Sequence, residues 1–148
     1  MAYHYTECGL ENVWLENGYQ MHDTDYGPAV SFSDADALHR VIGSLIIESA
    51  RPLNGAEVRF LRGEMDLSQK RLGLLLGLDE QTVRRWEKLA ESDIPGAPDR
   101  LIRQIYAEYV NTASGLRKLL ERLAAHDRDE ITEIRLRDVP GEGWKRAA

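Results

Sequence analysis

Residues 77–87, GLDEQTVRRWE, set a glutamine, a threonine and two adjacent arginines beside a valine and a tryptophan. The amide of Gln81 donates and accepts together, which suits the edge of adenine. Arg85, one helical turn on, carries a planar fork that matches guanine or a phosphate. A good bidentate pair of this kind is worth roughly 1–3 kcal/mol of discrimination between bases. Thr82 can touch a thymine methyl or a phosphate, and Arg84 can clamp the sugar–phosphate backbone. Glu80 would repel phosphate, so it reads either as a cytosine contact or, more simply, as an acid favoured by a helix N-terminus. Gln69, at the start of the preceding segment, can meet a phosphate together with the N–H groups of a helix end. Lys70 and Arg71 add charge beside it, or form a solvated face.

Such chemistry needs a rigid mount. Val83 and Trp86 are three apart, so on a helix they share an inner face and leave the polar groups outward. Ahead of that helix, Ser68 is expected to cap another, with Leu72, Leu75 and Leu76 inward and Gly77 at a left-handed terminus. Asp79 is expected to cap the helix that follows. Asn54 caps an earlier one, with Val58, Leu61 and Met65 inward. After the loop ESDIPGAP, Pro98 suits the first turn of a fourth helix with Leu101, Ile102, Ile105 and Tyr109 inward. Leu116, Leu119, Leu120 and Leu123 stripe a fifth.

Upstream, residues 1–33 are rich in Tyr, Trp, Val, Gly and Asn. NVWLENGYQM, with Asn17-Gly18 as turn residues, predicts a hairpin or meander. Asp25-Tyr26-Gly27-Pro28 predicts another turn, followed by a short strand AVSF. Ser33 or Asp34 caps a helix whose apolar face is Leu38, Val41, Ile42, Leu45 and Ile46, ending near Ser49 before Pro52. Near the end, Thr132, Ile134 and Leu136 alternate with charged residues, which predicts a terminal strand paired with the N-terminal strands or with a second copy of itself.

In the central stretch, Leu61-Arg62, Leu67-Ser68-Gln69, Leu72, Leu76-Gly77 and Thr82-Val83-Arg84-Arg85-Trp86-Glu87 resemble the Xre/Cro/phage-repressor family of helix-turn-helix domains. The resemblance covers roughly residues 54 to 110. It implies a compact five-helix domain, usually dimeric, on inverted-repeat operators in double-stranded DNA. It places Glu80, Gln81, Thr82 and Arg85 at base-reading positions and Gln69 at a phosphate-contacting one. YTECG, ahead of that module, resembles the zinc-finger/helix-turn-helix antitoxins of the MqsA type. Tyr5 stands where a first cysteine would be, Cys8-Gly9 matches the second, and no later CxxC pair follows. A structural zinc needs four ligands, and His4, Cys8, His22, His39 and His126 supply them poorly. The expectation is a metal-free relative in which Tyr3, Tyr5, Trp14, Tyr19 and Tyr26 form the core of a small sheet and Cys8 is a buried small residue.

The formal charge of −6 weighs at first against nucleic acid, but its distribution reverses that inference. Residues 1–50 carry eight acidic groups and one basic; residues 51–103 carry nine and ten; residues 104–148 carry eight of each. The motif therefore sits in the least acidic stretch, and DNA affinity follows local phosphate contacts rather than whole-chain charge. So slight a positive balance implies modest affinity per protomer and a need for dimerisation. No apolar run approaches the roughly 20 residues of a membrane span. The N-terminus has no secretory signal pattern, and a lone Cys8 fits a reducing cytoplasm. There is no glycine-rich phosphate loop, no Ser/His/Asp framework and no metal-ligand pair at helical spacing, so no enzyme is expected. His39 is expected at the rim of the core, with Asp34 and Asp36 as first-turn acids and Asp23 and Asp25 solvated beside a turn.

The expected architecture is mainly α (α+β overall). A small α+β segment (1–50) precedes a five-helix domain (51–126), and a C-terminal strand and tail (127–148) follow. The expected function is a cytoplasmic, homodimeric, sequence-specific DNA-binding regulator that contacts DNA through Gln69, Lys70, Arg71, Glu80, Gln81, Thr82, Arg84 and Arg85, with no cofactor and no metal. The outcome is expected to be repression. One alternative is an antitoxin that neutralises a toxin partner and autoregulates its operon. Another is a module that senses a ligand through its N-terminal part.

Overall fold

Asp34, Asn54, Ser68 and Asp79 each accept a hydrogen bond from the backbone N–H three residues on, and each starts a helix. These caps satisfy donors that a helix leaves orphaned at its first turn. The helices are α1 (Ala35–Glu48), α2 (Gly55–Glu64), α3 (Gln69–Leu76) and α4 (Glu80–Lys88), followed by α5 (Gly96–Asn111). At α2 the cap is reciprocal: Asn54 accepts from the Glu57 N–H while the Glu57 carboxylate accepts from the Asn54 N–H. The computed structural model describes residues 2–111 and 136–146. Over these the protein is mixed α+β and mainly helical, with three two-stranded antiparallel pairs. Among the described residues, no helix is long and apolar enough to cross a membrane.

The N-terminal strands are β1 (Tyr3–His4), β2 (Trp14–Leu15), β3 (Tyr19–Thr24) and β4 (Gly27–Phe32). The hairpin expected across Asn17-Gly18 does not form. β2 returns to β1, aided by the His4–Trp14 ring stack at 4.1 Å and a Tyr5 N–H bond to the Val13 carbonyl. β3 pairs instead with β4, in register from Tyr19↔Phe32 to Thr24↔Gly27, across a two-residue Asp25-Tyr26 loop. Gly18 carries the chain from one pair to the other, and its carbonyl accepts from the Ser33 N–H. Pro28 is tolerated inside β4 because a two-stranded ribbon leaves one edge of each strand unpaired. Of the expected aromatic core, Tyr5 is buried and Tyr3 packs against Tyr19 and Phe32, but Trp14 and Tyr26 are exposed. Cys8 is only partly buried, with its thiol donating to the Tyr5 carbonyl.

One buried cluster unites the helices. It draws Ile42 and Ile46 from α1, Val58, Phe60 and Leu61 from α2, Leu72 and Leu75 from α3, Val83 from α4, and Ile102, Ile105 and Tyr106 from α5. Tyr5 and Leu10 join it from the N-terminal segment. Two expected inward positions are exposed on α1, Val41 at 58 % and Leu45 at 63 %, because α1 turns its Ile42–Gly43–Ile46 side to α5. The Tyr106 hydroxyl occupies the space that a Cβ on Gly43 would fill. That is why Tyr106, and not the expected Tyr109, is the inward tyrosine of α5.

Polar staples tie these elements where apolar contact ends. Asp99 is buried and accepts from the Leu53 N–H (2.6 Å) and from the Arg103 guanidinium (2.6 Å). Arg103 also donates to the carbonyls of Ile47, Ser49 and Arg51. α1 has no basic residue in its last turn, so α5 lends one to its orphan carbonyls. Tyr5 reaches His39 (2.7 Å), and His39 reaches Glu64 on α2 (3.1 Å), pinning the N-terminal segment to the helices.

A C-terminal strand is present, but its partner within the chain differs from the one expected. β5 (Leu136–Val139) pairs with β6 (Gly143–Arg146), not with the N-terminal strands. Gly141, at a positive φ of 80°, helps reverse the chain between Val139 and Gly143, so the nearest partner is the strand's own continuation. Thr132 and Ile134, and the expected fifth helix around Leu116–Leu123, lie outside the described residues.

A Cβ on Gly55 would lie 1.7 Å from the Trp86 carbonyl oxygen and 3.1 Å from that of Leu89, both backbone atoms. Gly55→Ala is therefore expected to destabilise the fold by about 2 kcal/mol or more. Urea denaturation monitored by circular dichroism checks this, and an unchanged midpoint would refute the close approach of α2 and α4.

Candidate nucleic-acid interface

α3 and α4 meet through the tight turn Gly77–Leu78–Asp79. Gly77 adopts φ 72°, and the Leu78 N–H donates back to the Gly73 carbonyl at 2.8 Å, which closes the end of α3. A side chain on Gly73 would press on the carbonyls of Leu78 and Asp79, so this glycine lets the turn fold against α3. The turn delivers Asp79, whose Oδ1 accepts from both the Thr82 N–H (2.8 Å) and the Thr82 hydroxyl (2.7 Å). These two bonds, the hydroxyl first, hold the Asp79 carboxyl below its ordinary 3.8.

From that cap α4 runs with Val83 fully buried and Trp86 packed partly against the core. Gln81, Arg84 and Arg85 are exposed, and Glu80 and Thr82 are half-buried. The face that carries hydrogen-bonding groups is thus the face left open. Thr82 commits its hydroxyl proton to the cap, so it has no donor left for a phosphate and offers its methyl and an acceptor oxygen. Glu80 is paired with Arg84 at 2.9 Å, one turn apart. It acts as a first-turn acid and as a brace for the arginine. Gln81 and Arg85 lie one turn apart on the same flank, four residues from each other, as a pair of base-edge readers requires.

On α3, Lys70 is exposed, while Gln69 and Arg71 are half-buried. Ser68 caps the helix by accepting from the Arg71 N–H. The Gln69 amide donates one N–H to Glu87 of α4 at 3.3 Å, and the second N–H of the same NH2 group is the donor that a phosphate would need. The structure therefore brings Gln69 to the same edge as Arg84, through Glu87.

Glu87 itself is the hub. Its side chain is only 5 % exposed, and both oxygens accept from Arg62 of α2, at 2.7 and 2.8 Å. Arg62 donates in addition to the Leu67 carbonyl at the entry to α3. A fork-to-fork pair of this geometry locks three helices with one contact. Residue-by-residue sequence chemistry assigns Arg62 and Glu87 no role; they enter only as positions in a family resemblance. Arg59 and Lys88, on the neighbouring flank, have no role in that reading either. Their signal is spacing: Arg59 and Arg62 are three apart, Arg84 and Lys88 four apart, so each pair shares a helical face.

Comparison with protein-family models, with curated proteins and with solved structures returns no match for this chain.

Arg62→Ala leaves the Glu87 carboxylate buried and unpaired, and is expected to cost about 3–5 kcal/mol, whereas Arg62→Met combined with Glu87→Leu recovers most of that loss. Chemical denaturation of the two variants checks it; equal losses would sink the assignment. Because the Asp79 carboxyl is lowered on folding, its stabilisation of the α4 N-terminus is present above the ordinary value of 3.8 and is lost as pH falls through the lower folded value. The Thr82 amide resonance, followed by NMR in acid, is expected to titrate with a midpoint below 3.8, and Asp79→Ala removes the transition.

Proposed function

We propose that this chain is a sequence-specific DNA-binding transcriptional regulator of Xre helix-turn-helix type, acting as a dimeric repressor on an inverted-repeat operator. The observation that carries this reading is the two-sidedness of α4. Its inner side is anchored by Val83, by the close approach of Gly55 and by the Arg62–Glu87 pair. Its outer side keeps Gln81, Arg84 and Arg85 in solvent. A hairpin of purely structural use has no need of bidentate-capable groups along its open face. In this reading α4 enters the major groove, Gln81 and Arg85 meet base edges, and Arg84, Gln69, Lys70 and Arg71 meet phosphates. Two protomers would read half-sites one helical turn, about 34 Å, apart.

A second reading, an antitoxin that neutralises a partner protein, draws on the ribbon β3–β4. That ribbon is mostly exposed and carries Asp23 and Asp25, and the third of the chain around it adds six further acids, which together suit a basic partner. Co-purification of a small basic protein with the tagged chain would favour it.

Selection of bound oligonucleotides from a random pool tests the first reading. A recovered motif with two-fold symmetry is expected, and a pool that stays random overturns it. On the selected duplex, Arg85→Ala is expected to relax preference at one base position per half-site, a loss of roughly 1–3 kcal/mol there. Arg84→Ala is expected to weaken all sequences alike.

A further inference from the structure

Between α2 and α4 runs an open groove of about 370 Å³, lined by Arg59, Arg62, Gln69, Arg84, Glu87 and Lys88. Four of these six are cationic, one is a carboxylate and none is apolar. Glu87 is consumed by Arg62, and Arg84 already has Glu80. Arg59 and Lys88 are both exposed, and neither has a hydrogen-bond or ion-pair partner among the described residues. The groove therefore holds uncompensated positive charge over a neutralised floor.

The lining excludes some occupants. No apolar residue lines the groove, so it lacks the hydrophobic and aromatic side chains that hold an apolar ligand or the apolar anchor of a protein partner. Its charge and open form suit one sugar–phosphate strand of a duplex lying along it. Gln69 and Arg84 belong at once to this groove and to the outward face of α3 and α4, so a strand tracked by one continues into the other.

We propose that the α2–α4 groove seats the DNA sugar–phosphate backbone, with Arg59 and Lys88 as phosphate contacts beyond those on α3 and the outer face of α4. This rests on the DNA-binding reading above and extends its footprint from α4 across to α2. The role assigned is positional: these side chains add affinity to any duplex and no choice among sequences. It also gathers charge that the near-neutral balance of residues 51–103 hides, since Arg59 and Lys88 share this groove while Asp66, Glu91 and Asp93 do not line it.

The test uses the full chain, a duplex carrying the selected motif and a duplex of random sequence, each titrated between about 50 and 200 mM salt. Arg59→Gln and Lys88→Gln are each expected to weaken both duplexes by the same factor and to flatten the logarithmic salt slope by about 0.9, additively in the double variant. Arg59→Lys is expected to keep the wild-type slope, which separates lost charge from damaged folding. Both residues are solvent-exposed, and unchanged thermal melting accompanies the expected result. Wild-type slopes in the double variant overturn the groove while leaving the DNA-binding reading intact, as does a loss confined to the selected duplex. Failure of the wild-type chain to bind any duplex overturns both.

Discussion

The ion pair between Arg62 and Glu87 is the constraint on which the candidate interface depends. A nine-residue helix such as α4 has no independent stability in water, and it contributes only one fully buried side chain, Val83. Apolar burial of that size leaves the helix free to rock. The bidentate pair removes that freedom by joining α4 to α2, while Arg62 also holds the chain at Leu67 and Glu87 receives Gln69. Because both charged groups are largely out of water, the pair tolerates little misalignment. Its desolvation is offset only when every bond is made. Rigidity at the inner side is what gives an exposed glutamine and arginine a defined position in space.

The backbone reinforces the same joint. The first N–H groups of α2 are orphan donors, and two of them reach past their own cap: Gly55 donates to Ser92 and Ala56 to Ala90, in the segment that leaves α4. Gly55 allows this, since any side chain there would collide with the end of α4. The start of one helix thus closes the exit of another. Asp99 and Arg103 do the corresponding work at the linker between α1 and α2, where Leu53, Ser49 and Arg51 have backbone groups to satisfy. The helices are apolar at their centres and hydrogen-bonded at their ends, and the polar staples determine how the apolar faces are turned.

Charge is arranged on the same logic. The acidic N-terminal third packs on the helices through Tyr5 and Leu10, with Tyr5, His39 and Glu64 in a hydrogen-bonded line. Burial raises the Tyr5 hydroxyl above its usual range, with Cys8, Glu7 and Glu64 adding to the effect, so it stays neutral at physiological pH. The eight acids of that third are all exposed, spread over its loops, β3 and α1, and its one cation is Arg40, whereas the exposed cations Arg59, Lys70, Arg85 and Lys88 lie on α2, α3 and α4. A whole-chain charge of −6 conceals this separation.

Much is legible without coordinates, because short-range chemistry decides it. Side-chain caps act over three residues, so Asn54, Ser68 and Asp79 mark their helices in any context, and Gly77 marks the turn between α3 and α4. The alternation of Val83 and Trp86 with polar neighbours names the outer face of α4. Other features depend on which surfaces meet. Five apolar residues on α1 satisfy one helical stripe, yet the crossing at Gly43 selects Ile42 and Ile46 and leaves Val41 and Leu45 in water. Two turn signals compete in residues 17–28, and the longer register of β3 with β4 wins. No local pattern shows that Arg62 and Glu87, twenty-five positions apart, share two hydrogen bonds. By itself the sequence determined where helices begin and which side of α4 is polar, since those follow from spacing along one element. Only the tertiary structure decided which helix faces touch and which charges neutralise each other, since those follow from the approach of distant segments.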